Sequence, residues 1–137
     1  MDENLRRKVQ TLLDQHRTMR IATLRPDGWP QVTTVGYANE GFTLYFLCGR
    51  DSQKAANLAR DDRVSLAIDD DAPQVMDITG LSMAARAQAV EDKAEAEKAM
   101  GLLFARYPEQ KSLPGPMPSP EDVSIFRLTP TVISVLD

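Results

Sequence analysis

From Thr18 to Cys48 the chain alternates short β-branched runs with tight turns, and that rhythm confines it to antiparallel sheet. The run "TMRIATLR" meets "PDGWPQ", where Asp-Gly flanked by prolines is a hairpin signal. "QVTTVGYA" follows as a second strand, and "NEG" turns it into "FTLYFLC". In that third strand Phe42, Leu44, Phe46 and Cys48 share one face, with Thr43, Tyr45 and Leu47 on the other. Three strands joined this closely predict a meander. Before them, Leu5, Val9, Leu12 and Leu13 repeat at helical spacing and predict a helix over 3–16.

Beyond the third strand, "GRDSQKAANLAR" predicts a turn and a short helix. "RVSLAID" predicts a strand through Val64, Leu66 and Ile68, and Asp69, Asp70 and Asp71 a solvated turn. Residues 74–90 are expected as one long bent strand. Residues 91–107 carry Ala96, Met100, Leu103 and Tyr107 at helical spacing. Five of the nine prolines fall in 108–120, which rules out regular structure there and predicts an exposed flap or partner contact. "VSIFRL" and "TVISVL" are two further strand candidates, split at Thr129-Pro130. About seven strands with three helices as plugs point to a small β-barrel.

Composition removes several functions. A net charge of −4 on 137 residues suits neither nucleic acid nor an acidic membrane surface, which leaves small molecules and protein partners. Cys48 is the only cysteine and His16 the only histidine, so no disulfide, zinc cluster or Ser/His/Asp arrangement is expected. No leader or membrane span is apparent, and a cytoplasmic location is the expectation.

The stretch after the third strand supports two readings. Asp51 or Ser52 can cap the helix while Arg50 and Lys54 stay solvated. Equally, a helix N-terminus offers unpaired N–H groups and a favourable dipole to a phosphate, and Lys54 adds a charge. Trp29 could cover a ring or pack at a subunit interface. His16 reads as a cation at a helix C-terminus, and Arg106 and Tyr107 as packing or capping residues. Cys48 reads as core.

The ordered series shifts the balance toward the phosphate. "RIATLRPDGWPQVTTVGYANEGFTLYFLCGRDSQKAANLARDDRVSLAI" resembles the pyridoxamine 5′-phosphate oxidase-like family of FMN-binding split β-barrels. The shared elements are an A-T-L strand, D-G-x-P, a second strand, an aromatic third strand, S-x-K-A-x-N-L and R-V-S-L. The resemblance covers residues 17–90, and more loosely the helix at 91–107 and the last strands. D-G-x-P alone is common; the order carries the likeness.

The resemblance implies one FMN-binding split-barrel domain over 1–137, a small split antiparallel β-barrel with about three helices. Ser52 and Lys54 match the family's phosphate cluster, with Gln53 where the oxidases have arginine and Arg50 as a substitute cation. Thr33, Thr34 and Val35 match the strand that lines the flavin. Leu47 and Cys48 stand where the oxidases place a Tyr-Thr pair, and Gln74 matches a glutamine near the ring. A homodimer with the cofactor at its interface is implied, as is an FMN-dependent oxidoreductase acting on a small molecule. Ala38 stands at a lysine of the vitamin-B6 oxidases, and the sequence stops at Asp137, before their C-terminal tryptophan and arginine. The expected substrate is therefore not pyridoxine phosphate. Three other outcomes fit the same likeness: a flavin-binding module without turnover (carrier, sensor or stress protein), a reductase using the deazaflavin F420, and a protein whose groove has lost its cofactor.

Overall fold

The computed structural model describes residues 1–108 and 121–136. The chain runs α1 (Glu3–Gln15), β1 (Thr18–Leu24), β2 (Pro30–Gly36), β3 (Ala38–Glu40), β4 (Thr43–Gly49), α2 (Gln53–Arg60), β5 (Arg63–Asp69), a 3-10 turn (Val75–Asp77), β6 (Gly80–Ala89), α3 (Lys93–Arg106) and β7 (Val123–Leu136). The seven strands form one antiparallel sheet in the order β2-β1-β5-β6-β7-β4-β3. It curls around the core as a small split β-barrel whose two edge strands are β2 and β3. The proline-rich flap expected over 108–120 lies, beyond Pro108, outside the described residues.

The strand faces follow the alternation in the sequence. Met19 and Ile21 of β1, Leu66 and Ile68 of β5, and Leu44 and Phe46 of β4 all point inward and are buried. Phe46 stacks on Phe126 of β7 with ring centroids 5.6 Å apart. Val9 and Leu13 of α1 join this core, whereas Leu5 sits at the helix edge, 36% exposed. Each helix begins on a side-chain cap. Asp2, Ser52 and Asp92 accept from the backbone N–H groups of Leu5, Ala55 and Glu95, which satisfies donors the helix cannot. Arg106, at the end of α3, donates to the carbonyls of Leu13 and His16 and so caps α1, the role its position suggested.

Four expectations are corrected. The meander stops after one hairpin: β1 pairs with β2, but β4 pairs with β7, and β3 pairs only with β4. The run "QVTTVGYA" breaks at Tyr37, whose ring is fully buried and whose hydroxyl donates to Leu13 O at 2.7 Å. Tyr37 N still donates to Arg17 O at 3.0 Å, and from Ala38 onward the chain pairs with β4 instead.

The bent strand over 74–90 is a 3-10 turn followed by β6, which starts at Gly80. A Cβ there would lie 2.3 Å from Ile68 O, so the close approach of β5 and β6 requires glycine. Asp69, expected in the turn, is the last residue of β5 and pairs with Arg20 at 2.6 Å.

Finally, Pro130 does not split the C-terminal strand. The ladder with β6 passes from Ala84↔Val132 to Ala85↔Pro130, leaving Thr131 as a bulge. A proline that cannot donate to a ladder is accommodated at such an irregularity.

Candidate functional site

The stretch from Gly49 to Lys54 closes β4 and opens α2 beside the split. Ser52 is the pivot: its hydroxyl donates to Gly49 O at 2.7 Å and accepts from Ala55 N at 3.2 Å. With Ser52 occupied in this way, the first-turn N–H groups of Gln53 and Lys54 have no intrahelical acceptor and point out of the helix start. Cys48 lies below them, 8% exposed. Burial pushes its thiol above the ordinary cysteine value, while the Ser52 hydroxyl and the Lys54 charge oppose that shift.

On the other side of α2 an amide network ties the helix to β1 and β2. Gln53 Nε2 donates to Asn57 Oδ1 at 2.8 Å. Asn57, fully buried, donates in turn to Thr23 Oγ1 at 2.9 Å and Gln31 Oε1 at 3.1 Å. Gln31 and Gln53 then line a recess of about 540 Å³ together with Arg25 and Asp27. Two residues along β2 on the same face, Thr33 carries a buried hydroxyl with no hydrogen-bond partner. Native proteins rarely leave such a group unpaired.

The other expected residues are placed as follows. Val35 continues the Thr33 face of β2 and packs against the core. Thr34 faces outward, opposite Arg20. Leu47 also faces outward, opposite Ile125. Arg50 turns away from Gln53: its guanidinium donates to Val123 O at 3.4 Å, and it lines an apolar groove with Phe104 and Ile125. Gln74 is exposed before the 3-10 turn, at the end of the barrel opposite α2. Thus Cys48, Ser52, Gln53 and Lys54 lie at the start of α2, Thr33 sits on β2 opposite Ile21, and Thr34, Leu47, Arg50 and Gln74 lie elsewhere.

Gln31, Asn57 and Thr23 were not among the residues expected from sequence. Asn57 did carry a signal: it sits between Ala55 and Leu58 on the buried side of a short helix, where an amide must find partners. Trp29, 70% exposed, is displayed by a turn in which its backbone N–H donates to Asp27 Oδ1 at 3.1 Å and Gly28 adopts φ +87°. His16 has acceptors at both ring nitrogens, Leu12 O at 2.8 Å and Asp70 Oδ2 at 3.2 Å. Among the described residues no group of His, Cys, Asp or Glu could hold a metal, and no helix is long and apolar enough to cross a membrane.

A family model described as pyridoxamine 5′-phosphate oxidase matches residues 5–137. No curated protein matches the chain. Among solved structures, a Listeria innocua protein provisionally named pyridoxamine 5′-phosphate oxidase is 22% identical, with a TM-score of 0.77 over 96% of this chain and 98% of its own. The conserved hypothetical protein Rv2991 of Mycobacterium tuberculosis is 25% identical, with a TM-score of 0.80 over 100% of this chain and 85% of its own. The heme storage protein HutZ of Vibrio cholerae is 22% identical, with a TM-score of 0.76 over 94% of this chain and 92% of its own. At these identities the likeness is one of fold.

Proposed function

Because the chain belongs to the pyridoxamine 5′-phosphate oxidase family, we propose that it binds FMN and acts as an oxidoreductase on a small molecule. The observation that carries this reading is the start of α2, with outward N–H groups beside Lys54. Donors of this kind fit a phosphate dianion, because both the helix dipole and the lysine favour negative charge. FMN would supply the electron transfer. The protein's part is to hold the phosphate, orient the ring and exclude water.

Fewer fixed cations face this phosphate than the oxidases provide, since Gln53 is hydrogen-bonded to Asn57 and Arg50 turns to Val123. The grip then depends mainly on Lys54 and backbone amides. Ala38 is buried at the start of β3 and offers no charge to a substrate phosphate, which favours a substrate other than pyridoxine phosphate. The F420 reading is less favoured, because an anionic polyglutamate tail suits a chain of net charge −4 poorly. Heme, which HutZ stores, commonly takes a histidine ligand, and the sole histidine here is engaged at both nitrogens. A buried single cysteine suits a reducing compartment such as the cytoplasm.

Absorption and mass spectrometry of the purified protein test the cofactor. FMN at one per chain, reduced by NADH, NADPH or a candidate substrate and reoxidised over many cycles, is the expected result. Flavin that stays oxidised across a broad donor screen would move the reading to a binding module. No flavin uptake at all would contradict it.

A further inference from the structure

Helix α3 presents more apolar surface than its seat on the sheet consumes. Ala99 and Leu103 are its buried residues, and β3 and β4 are the strands it contacts most. Beside them a second row, Ala96, Met100 and Phe104, is only half-buried. A surface helix normally turns polar residues outward from the stripe it buries. This row instead lines, with Val123 and Ile125 of β7, a groove of about 840 Å³. Sites for small molecules occupy roughly 300–1,000 Å³ and are lined mainly by apolar and aromatic groups. Among the described residues, none of Ser52, Gln53 and Lys54 lines this groove, so it is separate from the start of α2.

Gly101 keeps the groove open. Glycine weakens a helix interior, and here neither backbone nor packing requires it. Its φ is not positive, and a Cβ added to it would meet nothing within 4 Å. Gly101 is itself on the lining, so what the glycine preserves is room.

The charged groups on the lining set the class of ligand. Arg50 and Lys93 are offset by Glu91 and Glu97, two cations against two carboxylates. A ligand with net charge would gain from one pair and lose to the other. An uncharged molecule avoids that conflict, and these groups can still hydrogen-bond its polar edge. Phe104 supplies a ring and Met100 a polarisable thioether, both favourable to an aromatic body.

We propose that the groove between α3 and β7 binds an uncharged aromatic small molecule, at a site distinct from the flavin seat. The inference goes beyond the flavin reading and does not depend on it.

Two fluorescent dyes that share one aromatic body test it. N-phenyl-1-naphthylamine is uncharged, and 8-anilinonaphthalene-1-sulfonate adds a single negative charge. Wild type should take up one uncharged dye per chain and hold the sulfonate at least tenfold less tightly. Gly101→Leu should fill the groove and abolish uptake, with a melting temperature no lower than wild type because leucine favours helix. Phe104→Ala should weaken uptake about tenfold by removing the ring, and it decides the matter if Gly101→Leu does not fold. No uptake by wild type, or uptake that neither change weakens, overturns the site. A sulfonate held as tightly as the uncharged dye overturns the ligand class. Uptake that falls as protein concentration rises would give the groove to a second copy of the chain and overturn the assignment. FMN affinity should be the same in Gly101→Leu as in wild type, and a loss there overturns the separation of the two sites.

Discussion

Lys54 is the residue on which the phosphate reading turns, because Gln53 and Arg50 have other engagements. A hydrogen bond to a charged group contributes roughly 1.5–3 kcal/mol. Lys54→Ala should therefore weaken FMN binding about 10- to 100-fold and leave riboflavin, which lacks the phosphate, nearly unaffected. Calorimetric titration of both ligands makes the comparison, and equal losses would point to damage of the fold instead. Arg50→Ala is expected to leave FMN affinity unchanged within about twofold, since its guanidinium faces the groove beyond β7. A second residue-scale prediction concerns Glu95, which accepts from Arg127 at 2.6 and 2.7 Å and from the Tyr45 hydroxyl at 2.8 Å. The Arg127 hydrogen bonds, then the Tyr45 one, hold its carboxyl below the ordinary value of 4.5. A depressed carboxylate contributes stability above its unfolded value and loses it as the pH falls through the folded one. Glu95→Gln should lower the melting temperature at pH 7, and the gap to wild type should close in acid. A gap that persisted at low pH would show that the carboxylate charge is not the cause.

At the scale of elements, β5 and β6 touch where only glycine fits. Gly80→Ala would place a methyl 2.3 Å from Ile68 O, which is backbone and cannot swing aside. Overpacking of this kind costs about 1–3 kcal/mol, and urea unfolding should show the loss at an unchanged slope. A Gly80→Ala variant as stable as wild type would contradict the packing described. Elements were the most legible part of the sequence. Asp-Gly marked the β1–β2 hairpin, alternation gave the inward faces of β4 and β5, and Ser52 marked the start of α2. What stayed hidden is long-range. Alternation says which face is buried but not which strand lies alongside, so the pairing of β4 with β7 could not be read. Pro130 looked like a break because the bulge that absorbs it depends on the register with β6. Tyr37 looked like one more strand residue because its hydroxyl partner, Leu13 O, lies on α1.

At the scale of the whole molecule, the ordered series of short motifs carried the fold where no single motif could. It also pointed to Ser52, Gln53 and Lys54 at the start of α2. It did not show that Arg50 turns to Val123 or that Gln74 lies at the other end of the barrel, because the direction of an exposed side chain and the ends of a barrel are set by the three-dimensional course of the sheet. Nor did it reveal that Gln31 and Asn57 tie β2 to α2, a link between residues 26 apart. The account's central claim is that this barrel seats a flavin by its phosphate at the start of α2. The most direct test is a titration of the purified, flavin-free protein with FMN and with riboflavin, followed by flavin fluorescence. The account predicts one FMN per chain, bound at least tenfold more tightly than riboflavin, a preference of about 1.4 kcal/mol or more. Equal affinity for the two, or no binding of either, would contradict it.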